Sequence, residues 1–324
     1  MAGRAVTSVP GYVDLQVNGI ADVDFSRADG DDWVRAGRIL IAAGVTGYLS
    51  AICSMPLDRY DDALARVAAA QRAAGPGEAE ILGVHLEGPF LGGALGAHHP
   101  AMIRSMDAEW LSALLDRHRG LVRLVTLAPE ADPDGAGIRM LAARGVVVAL
   151  GHTACTYDEA VAAAEAGATL TTHLFNGMGP FHQRAPGIIG AALDPRVALT
   201  PTVIADLVHV HGALVATVFA SGRPILVSDA VATGVPYFDA EVTSASGAAY
   251  LPDGTLTGAV SLLDTAVRNV VGLGVSRTGA LVAASVRPAT VLGLDAPPGT
   301  IDLDDDLNVV AVSRGGRTVY RREP

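Results

Sequence analysis

Three short strings, each closing a β-rich run, carry the most reactive side chains of the sequence. They are His85-Leu86-Glu87-Gly88-Pro89, Gly151-His152-Thr153 and Thr172-His173-Leu174-Phe175-Asn176. One carboxylate and two imidazoles delivered by separate strands suit a catalytic divalent cation of the zinc type, because three protein ligands leave a fourth position for water. Glu87 brings one negative charge and the neutral imidazoles none, so an ion held by this set keeps net positive character. That residual charge is what acidifies water and polarises a carbonyl. The pattern points to hydrolysis.

Such side chains need a scaffold that gathers strand ends. Eight runs read as strands: Tyr12 to Val17, Val45 to Ile52, Ile81 to Leu86, Val122 to Leu127, Val146 to Leu150, Thr169 to Thr172, Leu199 to Ile204 and Ile225 to Ser228. Amphipathic stretches separate them, such as Asp107 to Arg119 with Trp110, Leu111, Leu114 and Leu115 on one stripe. Thr156 with Glu159 predicts a capping box after the fifth strand, and Gly167 a stop. Eight strand–helix alternations without a long polar linker predict an α/β fold, a (β/α)8 TIM-like barrel. Reactive residues in such a barrel collect at the C-terminal rim. Six of the eight strands deliver one there: Gln16 and Asn18, Glu87, His152, His173, Asp206 with His209, and Asp229. A single histidine is more often a hydrogen-bonded core or surface residue; the set is harder to explain that way.

The 324 residues suit one barrel with insertions, and half of them are hydrophobic, as strands buried on both faces require. A formal net charge of −11 argues against nucleic acid or an anionic membrane as partner. An anionic substrate would therefore need a local basic pocket. Two cysteines, Cys53 and Cys155, make no disulfide framework and suit a reducing cytoplasm. No apolar run approaches the ~20 residues of a membrane span, and Met1 to Pro10 lacks a signal-type apolar stretch. Tyr237 to Leu256, with Pro252-Asp253-Gly254 as a turn signal, predicts an inserted hairpin. Leu307 to Val312 and Thr318 to Tyr320 predict two C-terminal strands joined through Gly315-Gly316.

Six strings in order, Pro10-Gly11-Tyr12-Val13-Asp14, His85 to Pro89, Leu127-Ala128-Pro129-Glu130, Gly151 to Thr153, Thr172 to Asn176 and Val227-Ser228-Asp229-Ala230, resemble the N-acetylglucosamine-6-phosphate deacetylases of the amidohydrolase superfamily. The resemblance covers residues 10 to 295, the expected barrel, and leaves 1–9 and 296–324 as a reduced β-sandwich. It implies that Glu87, His152 and His173 are metal ligands. It also implies that Asp229 activates water and protonates the leaving amine, and that His98 in Gly96-Ala97-His98-His99-Pro100 polarises the acetamide carbonyl. Asn176, the Gly177 backbone, Arg184 and His209 match positions that contact the sugar phosphate. In this family a neighbouring subunit completes that grip, which implies a homodimer.

The chemistry is consistent with those roles. Amide hydrolysis needs a Lewis acid, a strong nucleophile and a protonated leaving amine. Asp229 suits the proton shuttle, with further metal ligation as its alternative. Where related enzymes carry His-x-His at the end of strand one, Gln16-Val17-Asn18 offers neutral amides, weak ligands beside imidazole. One divalent metal ion per subunit is therefore expected, zinc first, with iron, cobalt or manganese as alternatives, and the amides are expected to hold water or substrate hydroxyls. Arg184 and His209 would hold a phosphate monoester through charge-assisted hydrogen bonds.

The match departs in places. Only nine residues precede Pro10, where the family places strands of its sandwich, and Ala259-Val260 replaces a serine pair near the sugar pocket. The expected reaction is hydrolysis of the N-acetyl group of N-acetylglucosamine 6-phosphate. The galactosamine epimer, another N-acyl sugar, and a sugar-phosphate-binding homologue without turnover are the alternatives. Cyclic-amide hydrolysis ranks below these, for want of the strand-one His-x-His.

Overall fold

Eight parallel strands lie side by side in chain order in the computed structural model, which describes residues 6–237 and 240–323. They are Tyr12–Val17, Val45–Cys53, Glu80–Glu87, Val122–Leu127, Val147–Leu150, Leu170–Thr171, Thr200–Ile204 and Ile225–Val227. Every strand expected from the sequence is present. The sixth is cut to two residues, its end set by the turn of the backbone into a left-handed conformation at His173, two positions on. Val13, Leu15, Leu49, Leu82, Leu124 and Ala149 fill the barrel interior, joined by Ala289 and Leu292 from the end of a short helix, Val286–Val291. A larger core lies between the strands and the surrounding helices. Helix Ala108–Arg117 buries Leu111, Leu114 and Leu115 there, capped by the Asp107 carboxylate accepting from Trp110 N. The Thr156/Glu159 capping box and the Gly167 stop bound helix Tyr157–Ala166.

The first and eighth strands close the ring without a regular ladder. Their seam is one bridge, Val17 to Ala230, with backbone bonds from Asp229 N to Gln16 O (3.0 Å) and Asn18 N to Ala230 O (2.8 Å). Asp14 adds to this seam. Fully buried, its carboxyl accepts from Ser228 N and Gln16 N at 3.2 Å each. Burial pushes this carboxyl up to about 7, against the opposing pull of hydrogen bonds from Ser228 and Gln16. The folded chain thus binds the Asp14 proton more tightly than the unfolded chain. The associated stabilisation is full below the ordinary carboxylate range and is lost as pH rises to about 7. A displacement of that size corresponds to about 4 kcal/mol. Asp14→Asn keeps an acceptor oxygen but carries no charge. Denaturant titrations should therefore show the wild type losing stability relative to Asp14→Asn between pH 4 and 7; parallel curves would exclude a buried, proton-binding Asp14.

Two smaller units flank the barrel. Thr7–Pro10, Thr300–Leu303, Val309–Arg314 and Arg317–Arg321 form an antiparallel sheet in that order, the reduced sandwich segment at the termini. The first two of these strands escape a reading by pattern: both are short, and Pro10 is a poor strand residue except on an edge, where it lies. The last two start and end near their expected bounds, around the Gly315-Gly316 turn. The insertion after strand eight is more than the single hairpin expected. Pro236–Tyr237 pairs with Ala240–Glu241, and Thr243–Ala245, Ala248–Tyr250 and Leu256–Ala259 make a three-stranded sheet. Residues 238–239 of the expected hairpin, like residues 1–5 and 324, lie outside the described residues.

Candidate metal centre and active site

Glu87 ends the third strand, and His152 and His173 stand just beyond the fifth and sixth. The structure brings the three together. His152 Nε2 and His173 Nε2 each lie 3.0 Å from Glu87 Oε1 and 3.2 Å from each other, all three side chains being nearly inaccessible to solvent. Ligands about 2.0–2.1 Å from a tetrahedral ion stand ~3.3 Å apart, close to the spacing found. Two nitrogens converging on one carboxylate oxygen and on each other make a crowded hydrogen-bond arrangement but a natural ligand triad. Charge agrees: Glu87 and Asp229 are both buried here, and neither lysine nor arginine lines the cavity they share among the described residues. The residues fit one divalent cation.

The backbone aims these side chains. His152, His173 and Asp229 all adopt left-handed conformations, with φ of 49°, 30° and 51°. Such a position costs roughly 1–3 kcal/mol at a non-glycine residue and persists where surrounding structure over-determines it. Hydrogen bonds on both sides supply that constraint. His152 O accepts from Gly92 N and Thr153 N donates to Gly177 O, at 2.8 and 3.0 Å. His173 N donates to Thr202 Oγ1 (2.8 Å) and Leu174 N to Thr202 O (2.7 Å). Asp229 N donates to Gln16 O, and Asp229 O accepts from Ala259 N, both at 3.0 Å.

Asp229 faces the triad from the eighth strand. Burial, then the negative charge of Glu87, hold its carboxyl well above the usual range, while His173 and the Asn18 amide pull the other way. For Glu87, burial also disfavours the charge, but hydrogen bonds and proximity to the two histidines outweigh it and keep the carboxyl low. Burial thus leaves two neighbouring carboxyls with opposite tendencies, Glu87 towards the charged form and Asp229 towards the protonated one. Gln16 and Asn18 are engaged as donors to these carboxylates. Gln16 Nε2 bonds Glu87 Oε1 and Asp229 Oδ1 at 2.9 Å each, and Asn18 Nδ2 bonds Asp229 Oδ1 at 2.6 Å. His98 is buried beside them, its ring centroid 4.3 Å from that of His152. Burial and His152 push it down to about 3, so it is a neutral imidazole with one N–H to give.

The expected sugar-phosphate contacts are less converged. Gly177, with φ of 55°, packs so closely behind His152 that an added Cβ would stand 2.7 Å from its Nδ1. Asn176 Nδ2 donates to His173 O. His209 Nδ1 pairs with Asp206 at 2.6 Å while its Nε2 is buried without a partner. Arg184 is exposed in the loop after Asn176-Gly177. None of these four is among the residues lining the cavity around the triad.

Sequence reasoning gave no site role to four neighbours of the site. Cys53 ends the second strand and lines the cavity, a place the rim rule marks out for any strand end. Thr257, in the insertion, lines it with a buried hydroxyl that has no partner, and Val242 adds an apolar wall. Glu130 anchors the turn beyond His152, accepting from Ala154 N (2.7 Å), Gly93 N and the Thr153 hydroxyl. Cys155 is buried and lies outside the cavity lining, as a small apolar residue would.

No protein-family model matches the chain. Curated relatives do. The N-acetylglucosamine-6-phosphate deacetylase of Bos taurus is 37% identical over 343 residues, covering 97% of this chain and 83% of the relative. The N-acetylgalactosamine-6-phosphate deacetylase of Escherichia coli O157:H7 is 35% identical over 316 residues, covering 94% and 83%. Among solved structures, a mutant N-acetyl-D-glucosamine-6-phosphate deacetylase from Mycobacterium smegmatis, in complex with N-acetyl-D-glucosamine-6-phosphate, superimposes with a TM-score of 0.89. It is 35% identical and is matched over 97% of this chain and 87% of its own.

Proposed function

The chain belongs to the N-acetylglucosamine-6-phosphate deacetylase family, and we propose that it hydrolyses the N-acetyl group of N-acetylglucosamine 6-phosphate to glucosamine 6-phosphate and acetate. The observation that carries this reading is the convergence of Glu87, His152 and His173 within 3.2 Å, with Asp229 across the same cavity. Glu87 Oε1 and the two Nε2 atoms would hold one divalent cation, zinc in our reading. When bound, that ion supplies Lewis acidity, making water more acidic and the acetamide carbonyl more electrophilic.

The remaining work falls to the chain. Asp229 accepts a proton from the attacking water and returns it to the amine nitrogen as the C–N bond breaks. Gln16 and Asn18 both donate to Oδ1 of Asp229, which leaves Oδ2 to carry that proton. His98, kept neutral by burial, donates its N–H to the carbonyl oxygen as negative charge develops there. Val242 and Thr257 of the insertion wall the cavity and limit the access of bulk water. Asn176, Gly177, Arg184 and His209 are assigned to the sugar phosphate. His209 Nε2 has no partner and the Arg184 guanidinium is exposed, which supports the assignment. We take the working unit to be a homodimer in which a second copy completes the phosphate grip. The exposed side chains of Phe181 and Leu207, near Arg184 and His209 in the chain, support this. Two free cysteines agree with a reducing cytoplasm. No helix is long and apolar enough to cross a membrane among the described residues.

The test is acetate release over N-acetylglucosamine and N-acetylgalactosamine, each with and without the 6-phosphate. The galactosamine arm is included because the Escherichia coli relative carries that name. Arg184→Ala should lower kcat/KM for the phosphorylated sugars by about 10- to 100-fold, the worth of a charge-assisted hydrogen bond, and leave the unphosphorylated sugars unaffected. Equal losses on both would remove Arg184 from the phosphate site. Binding of the sugar phosphate without acetate release would leave a non-catalytic homologue.

A further inference from the structure

A second group of ligand atoms within 4.8 Å of one another lies beside the triad: Cys53, Glu87 and His98. Glu87 belongs to both groups but offers each a different oxygen. Oε1 faces His152 and His173, whereas Oε2 faces Cys53 Sγ at 3.6 Å and His98 Nε2 at 4.0 Å. Thiolate and carboxylate ligands of one tetrahedral ion, at about 2.3 and 2.0 Å, stand ~3.5 Å apart. The sulfur and oxygen therefore already hold ligand spacing. His98 must approach by about 0.7 Å to reach the ~3.3 Å of an imidazole–carboxylate edge. It is 6% exposed, and its Nδ1 is buried without a hydrogen-bond partner, so no bond from that atom opposes the shift. Cys53 Sγ also lies 3.3 Å from Asn18 Oδ1, a neutral acceptor.

We propose that Cys53, Glu87 Oε2 and His98 form a second, weaker cation site for thiophilic divalent ions, and that filling it inhibits deacetylation. This inference rests on the reading of Glu87, His152 and His173 as the first site. On binding, the Cys53 S–H bond breaks, its proton leaves to solvent, a sulfur–cation bond forms, and Glu87 bridges the two ions. Repulsion between two cations sharing one carboxylate makes the second the weaker. The thiolate selects zinc, cobalt or cadmium over magnesium and manganese. Inhibition follows because His98, once ligated, no longer turns its N–H to the acetamide carbonyl.

Cobalt titration of the metal-free full chain provides the test. The first equivalent should give ligand-field absorption alone. The second should bring a near-ultraviolet thiolate-to-cobalt charge-transfer band, release one proton, and lower turnover as the band grows. Cys53→Ser should bind the first equivalent, which shows that it is folded, and should lose the band and at least tenfold in affinity for the second. Saturation at one equivalent without the band, or an undiminished second equivalent in Cys53→Ser, overturns the second site. A band arriving with the first equivalent overturns the division into strong and weak sites. Failure to bind any cobalt overturns the triad assignment, and this proposal with it.

Discussion

Asp229→Asn is expected to lower turnover by about three orders of magnitude, within the 10²–10⁴ range of a positioned acid–base group, while metal content and substrate affinity persist. The local geometry makes the substitution clean. Both amide donors, Gln16 Nε2 and Asn18 Nδ2, reach the same oxygen, Oδ1, and an asparagine can present its carbonyl oxygen there. The new NH2 group then stands where Oδ2 was, unable to take a proton from water. The variant should also be at least as stable as the wild type, since burial and Glu87 disfavour the Asp229 charge. Single-turnover acetate release, metal analysis and sugar-phosphate binding separate these effects. Near-normal turnover would remove Asp229 as the base, and loss of metal would reassign it as a ligand.

His152→Ala has the second large effect, and it falls on a different observable. It removes one of the three proposed protein ligands, so metal affinity should drop by more than the 10- to 100-fold typical of losing an outer-shell partner. After dialysis the metal content should fall from about one per chain towards zero, with activity following. Glu87 would keep His173 and Gln16 as partners, so the barrel should survive, though weakened by roughly 1–3 kcal/mol for the buried carboxylate's lost bond. Elemental analysis beside a thermal melt distinguishes metal loss from unfolding. Unchanged metal content in a folded variant would exclude His152 from the centre.

Much of this site was legible because barrel strands impose a rule. A polar side chain at a strand's C-terminal end must face the common rim, so Glu87, His152, His173 and Asp229 could be placed together before any coordinates. Direction and partnership were less accessible. The sequence offered Gln16 and Asn18 as amides near a cation, but that their nitrogens would be committed to two carboxylates depends on contacts across the barrel, 71 and 213 residues apart in the chain for Gln16. Cys53 was read through redox compartment alone, although its strand-end position is the signal that located the histidines. The insertion's strands are two to four residues long. Their content of Gly, Ser and Ala gives no periodicity to read, since pairing within a small sheet, not side-chain pattern, holds them.

The terminal sheet ties into the barrel at a telling place. Gly11 N donates to Gly299 O at 2.8 Å, one residue before the first barrel strand, and the absence of a side chain at Gly11 admits Thr46 closely against it. The tail therefore acts as a clasp on the same strand that carries Gln16 and Asn18. Trimming from Gly299 onward would loosen the supports of Asp229 while sparing Glu87, His152 and His173, which ride on strands elsewhere in the ring. A shortened protein of that kind should load metal well and turn over poorly.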